Sequence, residues 1–368
     1  MISVDKYFLT ICCVAWIAGI SVAGGADEVV TIYPAYGYQE ANRWVIPVRL
    51  WVHERRSFAE AAARQLADEI GDATAAEMNN FRYRVVDFLA DSESREDVSL
   101  VFESDPLNEH FHLTDSNRRP LKSDLNGLIE GMITLSQERA DSLLNSQQSQ
   151  NGWLSLQVTS KGHAGAGRVR LIAPQGISVI SDIDDTIKVT EIPAGPKIVM
   201  RNTFLRDYRM APEMSAKYHE WSDASFHYVS GGPWQMYGPL SEFLIDGKVG
   251  FPEGSFHMKS VQKNLFSTST WNDLSDLITN SEQTFDHKVT QISLIMKRFP
   301  QRKFILVGDS GEKDPEVYNA IRADFPEQIQ EIWIRDIVND RERNAGRLLG
   351  MHIIPAQTVE HGVSEFGK

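Results

Sequence analysis

Cysteine and basic charge are both scarce in this sequence. Among 368 residues the only cysteines are Cys12 and Cys13, both within the first 26 residues. The remainder of the chain therefore has no cysteine for a disulfide, a thiolate nucleophile or a cysteine-ligated zinc ion. Lysine and arginine number 37 against 50 acidic residues, a formal net charge of -13. This balance argues against a nucleic-acid partner, although a bound metal can still attract an anionic substrate.

A long apolar run is found at the amino end. It extends over residues 7–22, follows Lys6, and precedes the small residues Ala23-Gly24-Gly25-Ala26. That order is typical of a secretory signal peptide. We therefore expect a signal peptide over residues 1–26 and a protein exported to the periplasm or the extracellular space. An uncleaved membrane anchor is the alternative, because about 17 apolar residues are near the lower limit for crossing a bilayer.

The remaining chain is long enough for two domains with apolar cores. Residues 27–174 alternate short strand-like stretches with turn-forming residues, which predicts a β-rich, sandwich-like domain. The expected strands cover residues 29–33, 43–52, 98–102, 110–114, 127–135, 152–159 and 168–172, with a helix over 57–70. From residue 175 to 368 strands alternate with helices, which predicts a parallel α/β sheet. His110 and His112 would share one strand face, and a solvated face is favoured over a metal site because no third ligand is in view.

The stretch 176–188 combines a buried strand with a group of acids. Alternating β-branched residues lead into Asp182, Asp184 and Asp185. At the carboxyl end of a parallel strand these side chains would face the crevice in which open α/β sheets bind ligands. Burying them together without a positive partner is costly, so a divalent cation is the simplest explanation. An Asp-rich turn that caps a helix is the alternative.

Two later segments add groups that suit an anion. The strand over residues 225–229 leads into Ser230 and two glycines, whose backbone amides can approach an anion closely. Lys288 precedes a predicted amphipathic helix over 289–296, a position that the helix dipole disfavours for a lysine. This unfavourable position suggests that Lys288 has a specific role.

A second apolar strand, over residues 303–307, also ends in acids. Asp309 follows it after a single glycine, and Asp314 lies five residues further on. Two carboxylate groups at equivalent strand ends are suited to a hard cation with oxygen ligands. We therefore expect Asp182 and Asp309 to share one magnesium ion.

These motifs, in this order, resemble the haloacid dehalogenase superfamily of phosphotransferases. The strings S-D-I-D-D-T-I-K-V-T, V-S-G-G-P-W and G-D-S-G-E-K-D-P-E are similar to those of the actin-patch-protein type of phosphatidate phosphatase. The resemblance covers residues 176–340. It implies a haloacid-dehalogenase-like parallel sheet, a Mg²⁺ cofactor and hydrolysis of phosphatidate to diacylglycerol.

The resemblance also implies roles at the matching positions. Asp182 would attack phosphorus and form an aspartyl-phosphate, while Asp184 would act as general acid and base. The groups that would hold the phosphoryl oxygens are Thr186, Ser230 and Lys288. The implied metal site comprises Asp182, Asp184 through its backbone carbonyl, Asp309, and Asp314 either through water or as an orienting group. Substrate contacts would come from Gly231 and Arg335, with a surface ion pair as the alternative for Arg335.

Three functions follow from this sequence. The first is a magnesium-dependent phosphatase acting on phosphatidate, with peripheral membrane contact as a further expectation. The second keeps the chemistry but changes the substrate to another lipid phosphate or a soluble phosphate monoester. The third is a non-catalytic binding protein of the cell envelope, in which the β-rich region does the binding.

Overall fold

The computed structural model describes residues 28–54, 73–246, 250–260 and 281–356. The expected signal peptide and the expected helix over 57–70 lie outside these residues. Within them, no helix is both long enough and apolar enough to cross a membrane.

The first sheet is formed by strands from the amino-terminal part of the chain. Among the described residues it has nine strands, in the order β5-β7-β9-β2-β3-β1-β8, with β4 and β6 also paired to β3. The strands are β1 Glu28–Ile32, β2 Ala35–Glu40, β3 Arg43–Glu54, β4 Asp91–Ser92, β5 Leu100–Phe102, β6 Leu128–Ser136, β7 Trp153–Val158, β8 His163–Ala164 and β9 Ala166–Leu171. The predicted β-rich region is therefore confirmed.

Strand β2 makes this sheet continuous because its two halves pair with different neighbours. Its first residues pair with β9, and its last residues pair with β3. Apolar side chains from both parts, such as Ile46 and Leu154, belong to one buried core. The strands thus join in one sheet rather than in two separate ones.

One local expectation for this region is wrong. Residues 110–114 make only isolated bridges, at Phe111 and Thr114, instead of a strand. Their histidines have local partners: His110 lies 3.2 Å from Ser99, and His112 lies 3.0 Å from Asp97. Neither histidine lies in a group of three metal ligands within the described residues. A helix that the sequence did not suggest follows β6, with Ser136 accepting a hydrogen bond from Arg139 N as its cap.

The second sheet is parallel and has the strand order β12-β11-β10-β13-β14-β15. Its strands are β10 Ile177–Ser181, β11 Ser225–Pro233, β12 Gly254–Lys259, β13 Lys303–Asp309, β14 Ile329–Asp336 and β15 His352–Pro355. Strand β10 lies in the interior, between β11 and β13. The expected parallel α/β sheet is thus confirmed. Both β10 and β13 are buried along nearly their whole length, which explains the continuous apolar run in β13, although β10 also buries Ser178 and Ser181.

Helices accompany both sheets. They are α1 Ala75–Val85, α2 Gln137–Ser146, α3 Pro196–Met200, α4 Met214–His219, α5 Tyr237–Ser241, α6 Ser281–Arg298, α7 Asp314–Asp324 and α8 Asp340–Arg343. Single π-helical turns continue α3 over Arg201–Leu205 and α5 over Glu242–Asp246. Short 3-10 turns occupy Val86–Phe88, Ile192–Ala194, Trp234–Met236 and Ala345–Leu348.

Helix α1 connects the two halves of the molecule. It begins with a capping box, in which Thr74 accepts from Glu77 N and Glu77 accepts from Thr74 N. Its buried Phe81 packs in the core of the parallel-sheet half, against Phe204. The side chain of Asn80 donates to Leu205 O at 2.8 Å. The segment after β10 is therefore held in place by residues from the amino-terminal half.

Candidate active site

The two acid-terminated strands lie next to each other, as expected. Ser181 at the end of β10 is in register with Val307 of β13, and Asp182 N donates to Val307 O at 2.9 Å. Asp182 is 2% exposed and Asp309 is 0% exposed. The chain therefore places two carboxylates side by side in the interior, at the carboxyl edge of the sheet.

A third acid, Glu312, completes this group. One carboxylate oxygen from each of Asp182, Asp309 and Glu312 lies within 4.8 Å of the others. Asp309 Oδ1 accepts from Gly311 N at 2.6 Å and from Glu312 N at 3.2 Å, whereas Asp309 Oδ2 is buried and has no hydrogen-bond partner among the described residues. Asp182 Oδ1 is likewise buried and accepts no hydrogen bond among the described residues, and such a group of carboxylate oxygens is suited to a divalent cation.

The pKa values of these acids show the same need for positive charge. Burial raises the pKa of Asp309 well above its ordinary value, and Asp314, Glu312 and Asp182 add to the effect. Burial also raises the pKa of Asp182 well above its ordinary value, although the Lys288 ammonium opposes this. The raised pKa values show that burial and neighbouring acids disfavour the charged form of each carboxylate, and a bound cation would oppose that effect.

Lys288 supplies positive charge from helix α6. Its Nζ lies 2.8 Å from Asp182 Oδ1, 2.5 Å from Asp314 Oδ1 and 3.1 Å from Glu312 Oε2. Burial lowers the pKa of Lys288, but these three carboxylates together raise it well above its ordinary value. The expectation that Lys288 precedes its helix is wrong: α6 covers Ser281–Arg298, so the lysine lies inside the helix. Its position is explained by the acids it contacts rather than by the helix dipole.

Asp184 belongs to a separate network. Its Oδ1 lies 2.7 Å from Lys188 Nζ and accepts from Thr190 Oγ1 at 2.6 Å. Burial raises the pKa of Asp184, but Lys188 and Thr190 outweigh it and hold the pKa below its ordinary value. Asp184 Oδ2 lies 3.5 Å from Ser230 Oγ. Its carboxylate is absent from the three-acid group, and a metal contact through its backbone carbonyl stays a prediction.

The two predicted hydroxyl groups lie at the same edge. Thr186 is fully buried and donates to Asp182 Oδ2 at 2.9 Å. Ser230 Oγ accepts from Gly232 N at 2.9 Å. Gly231 packs so closely that a Cβ there would lie 2.6 Å from Thr284 Cγ2. A larger residue at this position would therefore require the Thr284 side chain to move.

The remaining predicted residues make internal contacts. Asp314 accepts hydrogen bonds from Lys288 Nζ and, at 3.2 Å, from Asp309 N, so it lies beside the three-acid group. Arg335 is 3% exposed, pairs with Glu213, and donates to Asp185 O at 2.8 Å. These contacts fix the loop after β10, and a substrate contact by Arg335 stays a prediction.

Sequence reasoning missed Glu312, Lys188 and Thr190. Glu312 lies between two acids that were considered, in the string G-D-S-G-E-K-D-P-E, and the three-residue separation from Asp309 was an available signal. Lys188 and Thr190 approach Asp184 because the chain turns back at Asp185, whose φ is 55°. The neighbouring residues in the sequence do not predict that Asp185 adopts a left-handed backbone conformation.

A pocket opens beside Asp184. Its lining combines the charged residues Asp184 and Lys188 with Thr203, Gly232 and the apolar residues Pro233, Met236 and Leu240.

Comparison with known proteins confirms the resemblance that the motifs predict. Residues 177–336 match the family model of the phosphatidate phosphatase APP1 catalytic domain. Phosphatidate phosphatase APP1 of Saccharomyces cerevisiae is 28% identical over 325 residues, covering 82% of this chain and 53% of the yeast protein. An uncharacterized protein of Schizosaccharomyces pombe is 31% identical over 183 residues, covering 47% of this chain and 27% of that protein. The chain thus spans about half the length of the first relative and about a quarter of the second.

A solved carbohydrate esterase chain aligns over 83% of this chain and 87% of its own length, with 11% identity and a TM-score of 0.19. That similarity is too low to carry any argument. The family match and the yeast relative together show that residues 177–336 are similar to a catalytic domain of the phosphatidate phosphatase type.

Proposed function

We propose that this protein hydrolyses phosphate monoesters at the carboxyl edge of its parallel sheet, with phosphatidate as substrate and diacylglycerol as product. The observation that carries the proposal is the setting of Asp182. This buried carboxylate contacts Lys288 at 2.8 Å and Thr186 at 2.9 Å, and it lies in one group with Asp309 and Glu312. The order of motifs and the parallel sheet support a haloacid-dehalogenase-like enzyme.

In the proposed mechanism Asp182 is the nucleophile. Its oxygen forms a bond to phosphorus in line with the departing alkoxide, which gives an aspartyl-phosphate on the side chain. Lys288 and Thr186 already contact the Asp182 carboxylate and would offset charge on the phosphoryl oxygens, with Ser230 at the neighbouring strand end. Such catalysis consists mostly of positioning and electrostatic stabilisation.

Asp184 would transfer protons in both half-reactions. In the free site Lys188 holds it as a carboxylate, the form that accepts a proton from the water that hydrolyses the aspartyl-phosphate. To protonate the departing alkoxide it must first gain a proton. The negative charge of the substrate phosphate favours that form, because a nearby like charge raises a carboxyl pKa.

We propose Mg²⁺ as the cofactor, held by Asp182, Asp309 and Glu312. An all-oxygen set of carboxylates selects a hard cation, and the unsatisfied Asp309 Oδ2 supports the fit. Mg²⁺ would supply positive charge that polarises the phosphoryl group.

A lipid substrate is supported by two observations. The lining of the pocket beside Asp184 includes the apolar residues Pro233, Met236 and Leu240, which suits an apolar alcohol portion of the substrate. The yeast relative is named a phosphatidate phosphatase.

The proposal also includes a boundary between the two domains near residue 174 and a location of the enzyme outside the cytoplasm.

The test is phosphate release from a panel of substrates by the purified chain. The panel contains phosphatidate, lysophosphatidate, a soluble sugar phosphate and a chromogenic aryl phosphate, each with magnesium and with excess chelator. We expect chelator-sensitive release, fastest with phosphatidate. Equal rates with the soluble esters would retain the chemistry and reject the lipid substrate. No release from any ester would favour the envelope binding protein.

A further inference from the structure

A second group of metal-ligand side chains lies in the β-rich sheet, outside the active site. Glu28 begins β1, His163 begins its parallel neighbour β8, and Glu96 lies in the loop before β5. His163 Nε2 is 2.8 Å from Glu28 Oε2 and 3.4 Å from Glu96 Oε2. One ligand atom from each residue lies within 4.8 Å of the others. Three separate segments thus bring an imidazole nitrogen and two carboxylates together.

The His163 ring points to a ligand between these groups. Its side chain is 6% exposed, and neither ring nitrogen has a hydrogen-bond partner among the described residues. Glu28 Oε2 accepts no hydrogen bond there either. His163 Nε2 and Glu28 Oε2 are close enough for a hydrogen bond, so it is the angle between them that excludes one. Ligands around one ion have such offset directions, because each points at the ion rather than at its neighbour.

Backbone contacts hold the three segments in place. Glu28 N donates to Gly162 O at 3.1 Å, directly beside His163. Glu96 N donates to the side chain of Ser123 at 2.8 Å, and Ser123 N donates to Glu96 O at 3.0 Å. Ser123 is itself 4% exposed. These hydrogen bonds therefore hold the backbone of the segments that carry the three ligand side chains.

We propose that Glu28, Glu96 and His163 form a zinc site that fastens the start of β1 to β8 and to the loop before β5. One imidazole and two carboxylates are ligands that Zn²⁺ takes, with water as the fourth, and an imidazole favours zinc over magnesium or calcium. In a tetrahedral site with bonds of about 2.05 Å, ligand atoms are about 3.3 Å apart. The distances of 2.8 and 3.4 Å lie on either side of this value.

The test measures zinc bound to the full chain by equilibrium dialysis and elemental analysis. Zinc would also bind the active-site acids, so the measurement uses an Asp309→Asn background to weaken that second site. Adding Glu96→Gln should reduce zinc affinity roughly 10-fold or more, since a direct ligand is worth at least as much as an outer-shell partner. Zinc at about 100 times Kd should raise the Tm of the background protein by at least about 3 °C, and that gain should disappear with Glu96→Gln.

His112→Gln in the same background is the matched control. His112 pairs with a single carboxylate, Asp97, and its side chain is 40% exposed, so its loss should leave zinc affinity unchanged. Equal zinc affinity with and without Glu96→Gln would overturn the proposal and leave an ordinary ion pair between His163 and Glu28. The zinc X-ray absorption spectrum of the Asp309→Asn protein, loaded with one equivalent, gives a check independent of Glu96. Absence of an imidazole nitrogen near 2.0 Å would also overturn the proposal.

Discussion

Aspartates shape loops in both sheets, but the parallel sheet buries several of them side by side. Asp124, before β6, is exposed, and its Oδ1 accepts from Asn126 N at 2.7 Å and Leu128 N at 2.9 Å. Asp185, after β10, is 2% exposed and accepts from three backbone amides, while its neighbour Asp182 is equally buried beside Asp309. An exposed aspartate organises a turn with water available to its charge. A buried group of them requires a cation, and that requirement gives the parallel sheet its chemistry.

The largest effect that this comparison predicts is on the nucleophile. Asp182→Asn should reduce turnover by more than roughly 10⁴-fold, because an amide cannot form the acyl-phosphate and loss of a nucleophile typically costs this much. Phosphate release and trapping of ³²P-labelled enzyme would both measure it.

Asp124→Asn is the control from the other sheet, and its turnover should equal that of the unsubstituted chain. Circular dichroism establishes that both variants are folded. Near-normal activity of Asp182→Asn would refute the assignment of the nucleophile. It would also remove the contrast between buried and exposed aspartates.

The next largest effect concerns the buried ammonium group of Lys288. Lys288→Met leaves Asp182, Glu312 and Asp314 without their ammonium partner, so the free energy of unfolding should fall by about 3 to 5 kcal/mol. Lys297→Met, at the exposed end of the same helix, should change it by less than about 0.5 kcal/mol. Urea denaturation measures both.

Added Mg²⁺ should restore part of the stability lost in Lys288→Met, because it supplies positive charge to the same acids. If the two lysine variants lost equal stability, the three carboxylates would not depend on Lys288 as the geometry indicates.

The sequence predicted the parts of the site that depend on local patterns. Asp182 follows a strand of alternating β-branched residues and Asp309 follows an apolar run, and neighbouring parallel strands bring such ends together. The contacts of Lys188 depend instead on the left-handed backbone of Asp185, which a sequence pattern does not specify. The start of α6 was misplaced by about two turns for a related reason. Its first residues are polar, and a polar first turn resembles a loop when only apolar spacing is read.

General acid and base catalysis should show an intermediate effect. Asp184→Asn removes a proton carrier but keeps the Asp182 nucleophile, so turnover should fall roughly 10²-fold or more. Aspartyl-phosphate should still form on a substrate with a good leaving group, such as an aryl phosphate, because that group departs without a proton. A variant that fails equally with aryl phosphate and phosphatidate would indicate that Asp184 does something other than transfer protons.

The smallest effect distinguishes the two loop aspartates themselves. Asp185 uses both oxygens: Oδ1 accepts from Thr190 N and Glu191 N, and Oδ2 accepts from Ile192 N at 2.6 Å. In Asp185→Asn one of these oxygens becomes an amide nitrogen that cannot accept, so at least one buried amide loses its partner at a cost of about 1 to 3 kcal/mol. Asp124 uses only Oδ1, which asparagine retains, so Asp124→Asn should cost less than about 0.5 kcal/mol. Urea denaturation of the pair measures the difference, and turnover by Asp185→Asn should fall less than by Asp184→Asn. Equal stability of the two variants would mean that burial does not separate these aspartates, and the contrast between the sheets would then rest on the metal-binding acids alone.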